Sequence, residues 1–280
     1  MSVLSDKIGL PLNLDLVVDL ARVAGEAILR HYASVEIAVQ AKPDASPLTA
    51  ADLESHDVIA AGLAALVGSI PIVSEEGGSR QRGDRQGWWW LVDPLDGTKE
   101  FLSRNGEFTV NIALMRGASP WWGVVHAPAI DQTFWGGAGI AAAWRRHGGS
   151  STAIRCATLP PDLGPWRVLA SKSHLNEATA SFIASLPGVA LVQAGSSLKF
   201  CRVADGSADL YPRLAPTHEW DTAAAQAVLE GAGGGVFTLD ARPLDYGRVD
   251  FLNPSFVAIA KSTVPASLAN AFAAAGGGGG

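Results

Sequence analysis

The sequence predicts a mixed fold in two parts, an α+β N-terminal lobe of residues 1–150 and an α/β C-terminal lobe of residues 151–265. In the first part, two segments with apolar residues at helical spacing precede several strand-like runs rich in tryptophan, valine and isoleucine. In the second part, short apolar runs alternate with helical patterns, which is typical of α/β organisation. Between them, "RRHGGSS" and "LPPDLGPW" shift the composition towards glycine, serine and proline and predict a hinge.

The N-terminal lobe is predicted to begin with two helices. Apolar spacing places the first over residues 14–33, and the second follows Thr49 and runs to about Val67. Strands are then predicted within "IPIVSEEG", "WWWLVD", "EFTVNIALM", "WWGVVHAP" and "QTFWGG". The third and fourth of these runs are separated by a hairpin-like distance, so the sheet is expected to be largely antiparallel. The three consecutive tryptophans are interpreted as core and lobe-packing residues.

The C-terminal lobe is predicted to alternate strands with helices. The strands lie in "RVLAS", "VALVQAG" and "ADLYPR", and the helices lie near residues 176–186, 198–205 and 221–229. The glycine-rich "GAGGGV" follows the last of these helices rather than preceding one, so it indicates helix termination instead of a dinucleotide-binding turn. Residues 266–280 end in five glycines and are predicted to be a disordered tail.

Composition excludes several classes of partner. The 280 residues are 48% hydrophobic, which is ample for a large core, and the net charge of -6 argues against nucleic-acid polymers as partners. Two cysteines outside any CxxC motif cannot form a disulfide framework, and no secretory signal precedes the first helix, so a cytoplasmic location is expected. The longest uncharged run, residues 58–73, is too short to span a bilayer. A loose peripheral association with the inner membrane face and a monomeric or homodimeric state are left open.

Acidic residues stand at the edges of several apolar elements. They are Asp52 in "LTAADLESH", Glu75 and Glu76 in "IVSEEG", Asp93 and Asp96 in "VDPLDGT", and Asp221 in "HEWDTAAAQ". Each alone fits a helix cap, a turn former or a solvated strand end. Together they offer hard oxygen ligands on rigid supports, and gathered like charges require a neutralising cation. The sequence therefore predicts a divalent-metal site.

The turn-forming sequence itself predicts part of that site. The proline between the two aspartates fixes the backbone and leaves the Leu95 carbonyl free, so that Asp93, Leu95 and Asp96 form a local set of three ligands. Gly97 permits close approach of a ligand, and Thr98 adds a hydroxyl. If a helix begins at Thr98, its first N–H groups attract an anion.

These segments resemble a known enzyme superfamily. "VDPLDGTKEF", preceded by "VSEEG" and followed by "WDTAAAQAVLEGAGG", is similar to the lithium-sensitive, Mg²⁺-dependent phosphomonoesterases that include inositol monophosphatase and fructose-1,6-bisphosphatase. "RNGEFTVNIAL", "GSSLKFCRVADGSADLYPR" and "FLNPSF" bring the resemblance closer to the CysQ-type 3'(2'),5'-bisphosphate nucleotidases. The resemblance implies a layered αβαβα sandwich. It also implies that metal-activated water converts adenosine 3',5'-bisphosphate to AMP and phosphate, and acts likewise on the 5'-phosphosulfate form.

The resemblance also implies roles for individual residues. It implies two Mg²⁺ ions, with a third position, and the implied metal ligands are Glu75, Asp93, the Leu95 carbonyl, Asp96 and Asp221. The implied catalytic residues are Thr98 and Glu75, which orient or deprotonate the attacking water, and Asp52, which completes an extra metal position or acts as a base. The implied substrate contacts are Gly97, Thr98, Ser173, His174, Ser196, Ser197, Lys199, Arg213 and Asp221. Ala225 stands where close relatives are expected to have glycine.

Two alternatives stay open at this point. An inositol or sugar phosphatase would use the same chemistry on another substrate, although "GTKEF" followed by "NGEFTVN" counts against it. A non-catalytic nucleotide-binding protein that keeps the fold would be expected to lose acids of the cluster, yet all are present.

Overall fold

A computed structural model describes residues 12–34, 38–41, 47–77, 85–160, 164–170 and 176–276. Ser173 and His174, two of the predicted substrate contacts, lie outside the described residues. Within the described ranges, no helix is both long enough and apolar enough to cross a membrane.

The described chain contains α-helices, β-strands and short 3₁₀ helices. The α-helices are α1 (Leu14–Tyr32), α2 (Ala50–Val67), α3 (Thr98–Leu102), α4 (Glu177–Ala184), α5 (Leu198–Ala204), α6 (Ala223–Gly231) and α7 (Ala269–Gly276). The strands are β1 (Val39–Ala41), β2 (Pro47–Thr49), β3 (Ile72–Ser74), β4 (Trp88–Asp96), β5 (Thr109–Arg116), β6 (Ser119–Ala127), β7 (Gln132–Gly137), β8 (Ala142–His147), β9 (Ser150–Ala153), β10 (Trp166–Ala170), β11 (Val189–Gln193), β12 (Leu210–Arg213), β13 (Gly235–Thr238) and β14 (Phe256–Ile259). Short 3₁₀ helices span Glu75–Gly77, Pro128–Ile130, Glu219–Asp221 and Ala266–Leu268.

The first two helices confirm the predicted pair, and local capping groups mark where each begins. The Asn13 side chain accepts a hydrogen bond of 3.0 Å from the Asp15 amide at the start of α1. Thr49 caps α2 as part of a capping box with Asp52, which satisfies main-chain N–H groups that have no partner within the helix. The sequence therefore defines both helix starts through local capping.

A seven-stranded sheet in the order β3-β4-β5-β6-β7-β8-β9 forms the N-terminal lobe. Only β3 and β4 are parallel, so the expectation of a largely antiparallel sheet is confirmed. The segment "RRHGGSS", predicted as a hinge, is instead the β8–β9 hairpin, whose turn contains Gly148 (φ 56°) and Gly149 (φ 81°). A left-handed glycine pair is the turn that matches the twist of paired strands. The sheet thus continues to Ala153, beyond the predicted boundary at residue 150.

A mixed five-stranded sheet in the order β11-β10-β12-β14-β13 forms the C-terminal lobe. Strand β10 runs parallel to β11 and β12, whereas β14 pairs antiparallel with both β12 and β13. The parallel strands with their intervening helices confirm the predicted α/β pattern. The antiparallel edge formed by β13 and β14 was not predicted.

The two sheets and their helices stack in five layers. One face of the seven-stranded sheet, including Trp90, packs against α1 and α2. Its other face, including Trp89, shares a core with α5, α6 and one face of the five-stranded sheet. The far face of that second sheet, including Val168, packs against α4 and α7. This arrangement confirms the predicted αβαβα sandwich, and it places successive tryptophans of β4 in two different cores because strand side chains alternate.

The C-terminal segment differs from the predicted disordered tail. Residues 266–276 form a 3₁₀ helix and then α7, in which Leu268 and Phe272 are buried. The Phe272 ring meets the Phe182 ring of α4 edge to face, with 6.0 Å between centroids. Leu268, Ala271 and Phe272 have the spacing of one helical face, and this short apolar pattern outweighs the glycine-rich composition that follows it. Residues 277–280 lie outside the described part of the chain.

Candidate active site

The strand β4 carries two of the predicted metal ligands through a β-bulge. Asp93 lies opposite Asn111 of β5, and Asp96 lies opposite Thr109, so three steps along β4 match two steps along β5. Residues three apart on a regular strand face opposite sides of the sheet, but one extra residue brings both carboxylates to the same side. The sequence reasoning expected the chain to leave the strand and turn after Asp93; instead β4 continues to Asp96. Proline is tolerated at a bulge because it has no N–H to donate.

Three carboxylates meet at this bulge. Carboxylate oxygens of Asp93, Asp96 and Asp221 all lie within 4.8 Å of one another. Asp93 is buried, and its Oδ1 accepts a hydrogen bond of 3.0 Å from the Leu95 amide. Asp221 ends the 3₁₀ helix Glu219–Asp221, where its Oδ2 accepts 2.9 Å from the His218 amide. The fold therefore brings together three of the five predicted ligands as one tight group.

Burial and the repulsion between neighbouring carboxylates raise the pKa of these three acids. Burial raises the pKa of Asp93 well above its usual range, and the neighbouring Glu75, Asp96 and Asp221 raise it further. Burial raises the pKa of Asp96 to about 6, although Lys199 and the Ser197 amide act in the opposite direction. The pKa of Asp221 is also raised well above its usual range, first by burial and then by Asp96. Hard oxygen donors that repel one another in a buried site fit a divalent cation, whose charge would offset both effects.

The other predicted acidic residues surround this group without joining it. Glu75, at the start of a 3₁₀ helix, shares a side-chain hydrogen bond with Asp93. Asp52 is buried at the start of α2, where its Oδ2 accepts hydrogen bonds from the Thr49 amide (2.8 Å) and hydroxyl (2.6 Å). Neither residue belongs to the set of described carboxylates whose oxygens all lie within 4.8 Å. The interpretation of Asp52 as an acid of the first helical turn is therefore correct for one of its oxygens.

The other oxygen of Asp52 faces Thr98. The Thr98 hydroxyl lies 3.3 Å from Asp52 Oδ1 and 3.4 Å from the Leu95 carbonyl oxygen, and it can donate its one proton to only one of them at a time. Gly97, just before Thr98, has a left-handed φ of 88°, and a Cβ there would lie 3.2 Å from Ser196 Cβ. Glycine is thus needed for both the conformation and the close approach, and Thr98 lies between Asp52 and the bulge.

The loop before α5 docks onto the bulge from the C-terminal lobe. The Ser197 amide donates 2.6 Å to Asp96 Oδ2, and the Ser197 hydroxyl donates 2.8 Å to Asn111 Oδ1. The Ser196 hydroxyl donates 2.8 Å to the Glu107 carbonyl oxygen. Both serines therefore join the two lobes at the site, and their predicted contact with substrate stays a prediction.

A cavity of about 150 Å³ opens beside the carboxylates. It is lined by Asp96, Glu100, Ser196, Ser197, Lys199, Phe200, Tyr211, Arg213, Thr217, Asp221 and Thr222. The Lys199 ammonium lies over the Tyr211 ring at 5.3 Å, and burial lowers the pKa of this lysine to about 8 although Asp96 opposes the shift. The Arg213 Nη2 donates 3.1 Å to the Pro216 carbonyl oxygen, whereas its buried Nε has no hydrogen-bond partner among the described residues. The cavity thus has acidic and cationic groups in one small space.

Sequence reasoning missed several residues of this site. Thr109 and Asn111 on β5 bond to Asp96 and to the Ser197 hydroxyl, at distances of 3.3 Å and 2.8 Å. Thr109 and Asn111 are two residues apart on a strand, so their side chains face the same side of the sheet, and they pair with the two aspartates. This pattern could have identified them from the sequence. Glu100 and Tyr211 also line the cavity, but a single sequence carries no signal for either.

The sequence of this chain is similar to a known protein family and to several of its characterised members. The sequence profile of the Inositol monophosphatase family matches residues 13–274. The chain is 45% identical over 253 residues to a 3'(2'),5'-bisphosphate nucleotidase CysQ of Escherichia coli (strain K12), covering 87% of this chain and 98% of that protein. It is 41% identical to the CysQ nucleotidase of Buchnera aphidicola, covering 88% and 93%.

Solved structures show the same relationship. A crystal structure of CysQ from Bacteroides thetaiotaomicron, described as a bacterial member of the inositol monophosphatase family, superposes with a TM-score of 0.74 at 37% identity and covers 88% of this chain and 96% of that chain. An inositol monophosphatase from Thermotoga maritima superposes with a TM-score of 0.75 at 22% identity, covering 94% and 98%, and this likeness concerns the fold alone.

Proposed function

The chain belongs to the inositol monophosphatase family, and on this premise we propose that it is a metal-dependent phosphomonoesterase that removes the 3'-phosphate of adenosine 3',5'-bisphosphate. The products are AMP and phosphate. The related 5'-phosphosulfate compound is a second substrate of the same kind. The CysQ nucleotidases that are 45% identical to this chain support the choice of substrate.

One observation carries this proposal. Asp96 and Asp221 of the carboxylate cluster line the same cavity of about 150 Å³ as Lys199 and Arg213. A substrate with one phosphate at the cluster and a second anionic group at the cationic side chains matches both features of the cavity. A monophosphate would leave the buried Arg213 Nε without a partner, and an unpaired buried donor costs about 1–3 kcal/mol.

We propose Mg²⁺ as the metal, with two ions and a third position near Asp52. The proposed ligands are Glu75, Asp93, the Leu95 carbonyl, Asp96 and Asp221, all of which supply hard oxygen atoms. When bound, such ions supply positive charge to the phosphoryl oxygens and lower the pKa of water. The raised pKa values of Asp93 and Asp221 support a cation at this position because it would restore their ionised forms.

The chain's own residues orient the reacting groups. Thr98 Oγ1 can accept a hydrogen bond from the attacking water while it donates its proton to Asp52 Oδ1, 3.3 Å away. This arrangement fixes the water's direction relative to the bulge that carries Asp93 and Asp96. In this proposal Glu75, which lies beside Asp93, takes a proton from the same water. The Lys199 ammonium and the Arg213 guanidinium bind the remote phosphate, so phosphoryl transfer proceeds mainly through positioning and charge stabilisation.

A substrate panel tests the proposal. Phosphate release with Mg²⁺ is measured side by side from adenosine 3',5'-bisphosphate, inositol 1-phosphate and fructose 1,6-bisphosphate. The expected result is the highest kcat/KM for the nucleotide, with no release after chelation of the metal. A higher kcat/KM for inositol 1-phosphate would instead favour the inositol phosphatase alternative.

A further inference from the structure

The segment that carries Asp221 is one short turn. Glu219–Asp221 is a single turn of 3₁₀ helix with a local capping box, in which the His218 amide donates 2.9 Å to Asp221 Oδ2. Short 3₁₀ turns have poor hydrogen-bond geometry and hold their shape through surrounding contacts. Here those contacts include a set of hydrogen bonds from residues 245–253, which we name the clamp loop.

Glu219 is the main attachment point of the clamp loop. Its side chain is fully buried, and its Oε1 accepts hydrogen bonds from the Gly247 amide (2.8 Å), the Arg248 amide (2.8 Å) and Arg248 Nη1 (3.3 Å). Its Oε2 is buried without a hydrogen-bond partner in the described part of the chain. Arg248 is held in turn because its Nη2 donates 2.6 Å to Asp245 Oδ1. The orientation of the Glu219 carboxylate therefore depends on the clamp loop.

The clamp loop also forms hydrogen bonds with residues on both sides of Asp221. The Glu219 amide donates 2.8 Å to the Phe251 carbonyl oxygen, and the Asn253 amide donates 2.9 Å to the Thr217 carbonyl oxygen. The Asn253 side-chain amide donates 2.7 Å to the His218 carbonyl oxygen and 3.0 Å to Thr222 Oγ1. Residues on both sides of Asp221 are thus hydrogen-bonded to one loop.

A stack of rings connects this assembly with the strand that bears the other two aspartates. The Arg85 guanidinium lies 5.8 Å from the Trp89 ring centroid and 4.9 Å from that of Phe251. Trp220 lies 5.1 Å from Phe251 and stacks on His218 at 4.9 Å. Trp89 lies on β4, four residues before Asp93. Arg85 and the clamp-loop residue Phe251 therefore link β4 to the turn that carries Asp221.

We propose that Glu219, acting through the clamp loop, is a positioning residue that holds Asp221 at metal-binding distance from Asp93 and Asp96. The inference rests on the proposed function, since it requires a divalent ion at these carboxylates. Groups that orient metal ligands typically change metal affinity about 10- to 100-fold when they are removed. Glu219 belongs neither to the carboxylate cluster nor to the residues that line the cavity.

A metal-binding measurement on matched variants tests this role. Glu219→Gln keeps the shape and an oxygen that accepts from both loop amides, but it loses the charge that faces Arg248. Asp209→Asn is the control, because Asp209 is also buried and pairs with an arginine, Arg167, at 2.5 Å, yet it attaches to β10 rather than to the clamp loop. Mn²⁺ binding is followed by electron paramagnetic resonance, and the metal-free melting temperature is recorded for each protein.

Glu219→Gln is expected to weaken Mn²⁺ binding about tenfold. Its kcat should return to within about twofold of wild type at saturating Mg²⁺, because excess metal restores occupancy. Asp209→Asn should lower the melting temperature while leaving Mn²⁺ affinity within about twofold of wild type. Wild-type Mn²⁺ affinity in Glu219→Gln would overturn the inference, as would equal losses of affinity in both variants. A wild-type protein that binds no Mn²⁺ and releases no phosphate would contradict the proposed function, and the inference with it.

Discussion

The main-chain amide of Ser197 donates a hydrogen bond of 2.6 Å to Oδ2 of Asp96, which lies 101 positions earlier in the chain. This bond joins the start of α5 in the C-terminal lobe to the bulge in the N-terminal sheet. Because the donor is a backbone group, only proline among substitutions at residue 197 removes it. The orientation of one carboxylate of the Asp93, Asp96 and Asp221 cluster is thus coupled to the docking of the two lobes.

Replacing Asp96 by asparagine should abolish most catalysis without unfolding the protein. The variant loses one carboxylate of the cluster, and a bound metal contributes several kcal/mol to the transition state, so Mg²⁺-dependent phosphate release should fall by about 100-fold or more. The metal-free free energy of unfolding should not fall, since burial and neighbouring acids already oppose ionisation of Asp96. Phosphate release and urea unfolding without metal measure the two effects. Turnover within about twofold of wild type would remove Asp96 from the metal site.

Replacing Thr98 by alanine should lower kcat more than it raises KM. The Thr98 hydroxyl lies between Asp52 Oδ1 and the Leu95 carbonyl oxygen, where it can orient the attacking water. A positioned proton-transfer group contributes about 100-fold or more, and Thr98→Ser should keep most of that contribution because it retains the hydroxyl. Steady-state kinetics on the three proteins separate kcat from KM. A change confined to KM would make Thr98 a binding residue instead.

Replacing Arg213 by glutamine should weaken binding of the remote phosphate selectively. Hydrogen bonds to charged groups contribute about 1.5–3 kcal/mol, so kcat/KM for adenosine 3',5'-bisphosphate should fall about 10- to 100-fold. Adenosine 3'-monophosphate lacks the second phosphate and serves as the matched substrate, for which the variant should resemble wild type. An equal decrease in kcat/KM on both substrates would show that Arg213 does not bind the second phosphate.

Acid destabilisation should depend on His126, which lies outside the candidate site. Burial, and then Arg22, lowers the pKa of His126 to about 4 in the folded protein, whereas an unfolded histidine titrates near about 6.5. Between these two pKa values the folded state binds fewer protons than the unfolded state. The stability contributed by neutral His126 is therefore complete above pH ~6.5 and is lost as the pH falls towards ~4. The free energy of unfolding falls by about 1.4 kcal/mol per pH unit in this interval.

Urea unfolding of the metal-free protein at pH 7 and pH 5 measures this effect, with His126→Gln as the comparison. Asp96 titrates in the same range in both proteins, so its contribution cancels in the difference. The free energy of unfolding should fall less in the variant between the two pH values. Identical changes in both proteins would mean that His126 is not held neutral by the fold.

Sequence reasoning predicted that Asp93, Asp96 and Asp221 belong to one divalent-metal site, because acids at the ends of several apolar elements offer hard oxygen ligands on rigid supports. It did not predict how the first two reach the same side. The β-bulge depends on the register between β4 and β5, and register is a property of two strands rather than of one segment. Local turn chemistry at "DPLD" therefore suggested a turn where the strand continues.

Other differences have the same origin in tertiary contacts. The glycine pair Gly148 and Gly149 fits either a flexible hinge or a hairpin turn, and only the pairing of β8 with β9 decides between them. Phe272 makes α7 an ordered helix through its contact with Phe182, about 90 residues away in the sequence. The role of Glu219 is visible only when the clamp loop is seen beside it.

Identifying the product formed from adenosine 3',5'-bisphosphate tests the proposed function most directly. The reaction is run with Mg²⁺ and followed by phosphorus nuclear magnetic resonance, which distinguishes the 5'-phosphate from the 3'-phosphate of the nucleotide product. The similarity to 3'(2'),5'-bisphosphate nucleotidases predicts loss of the 3'-phosphate, so AMP with its 5'-phosphate should accumulate in equal amount with inorganic phosphate. Accumulation of adenosine 3'-monophosphate, or no release of phosphate at all, would contradict the proposed function.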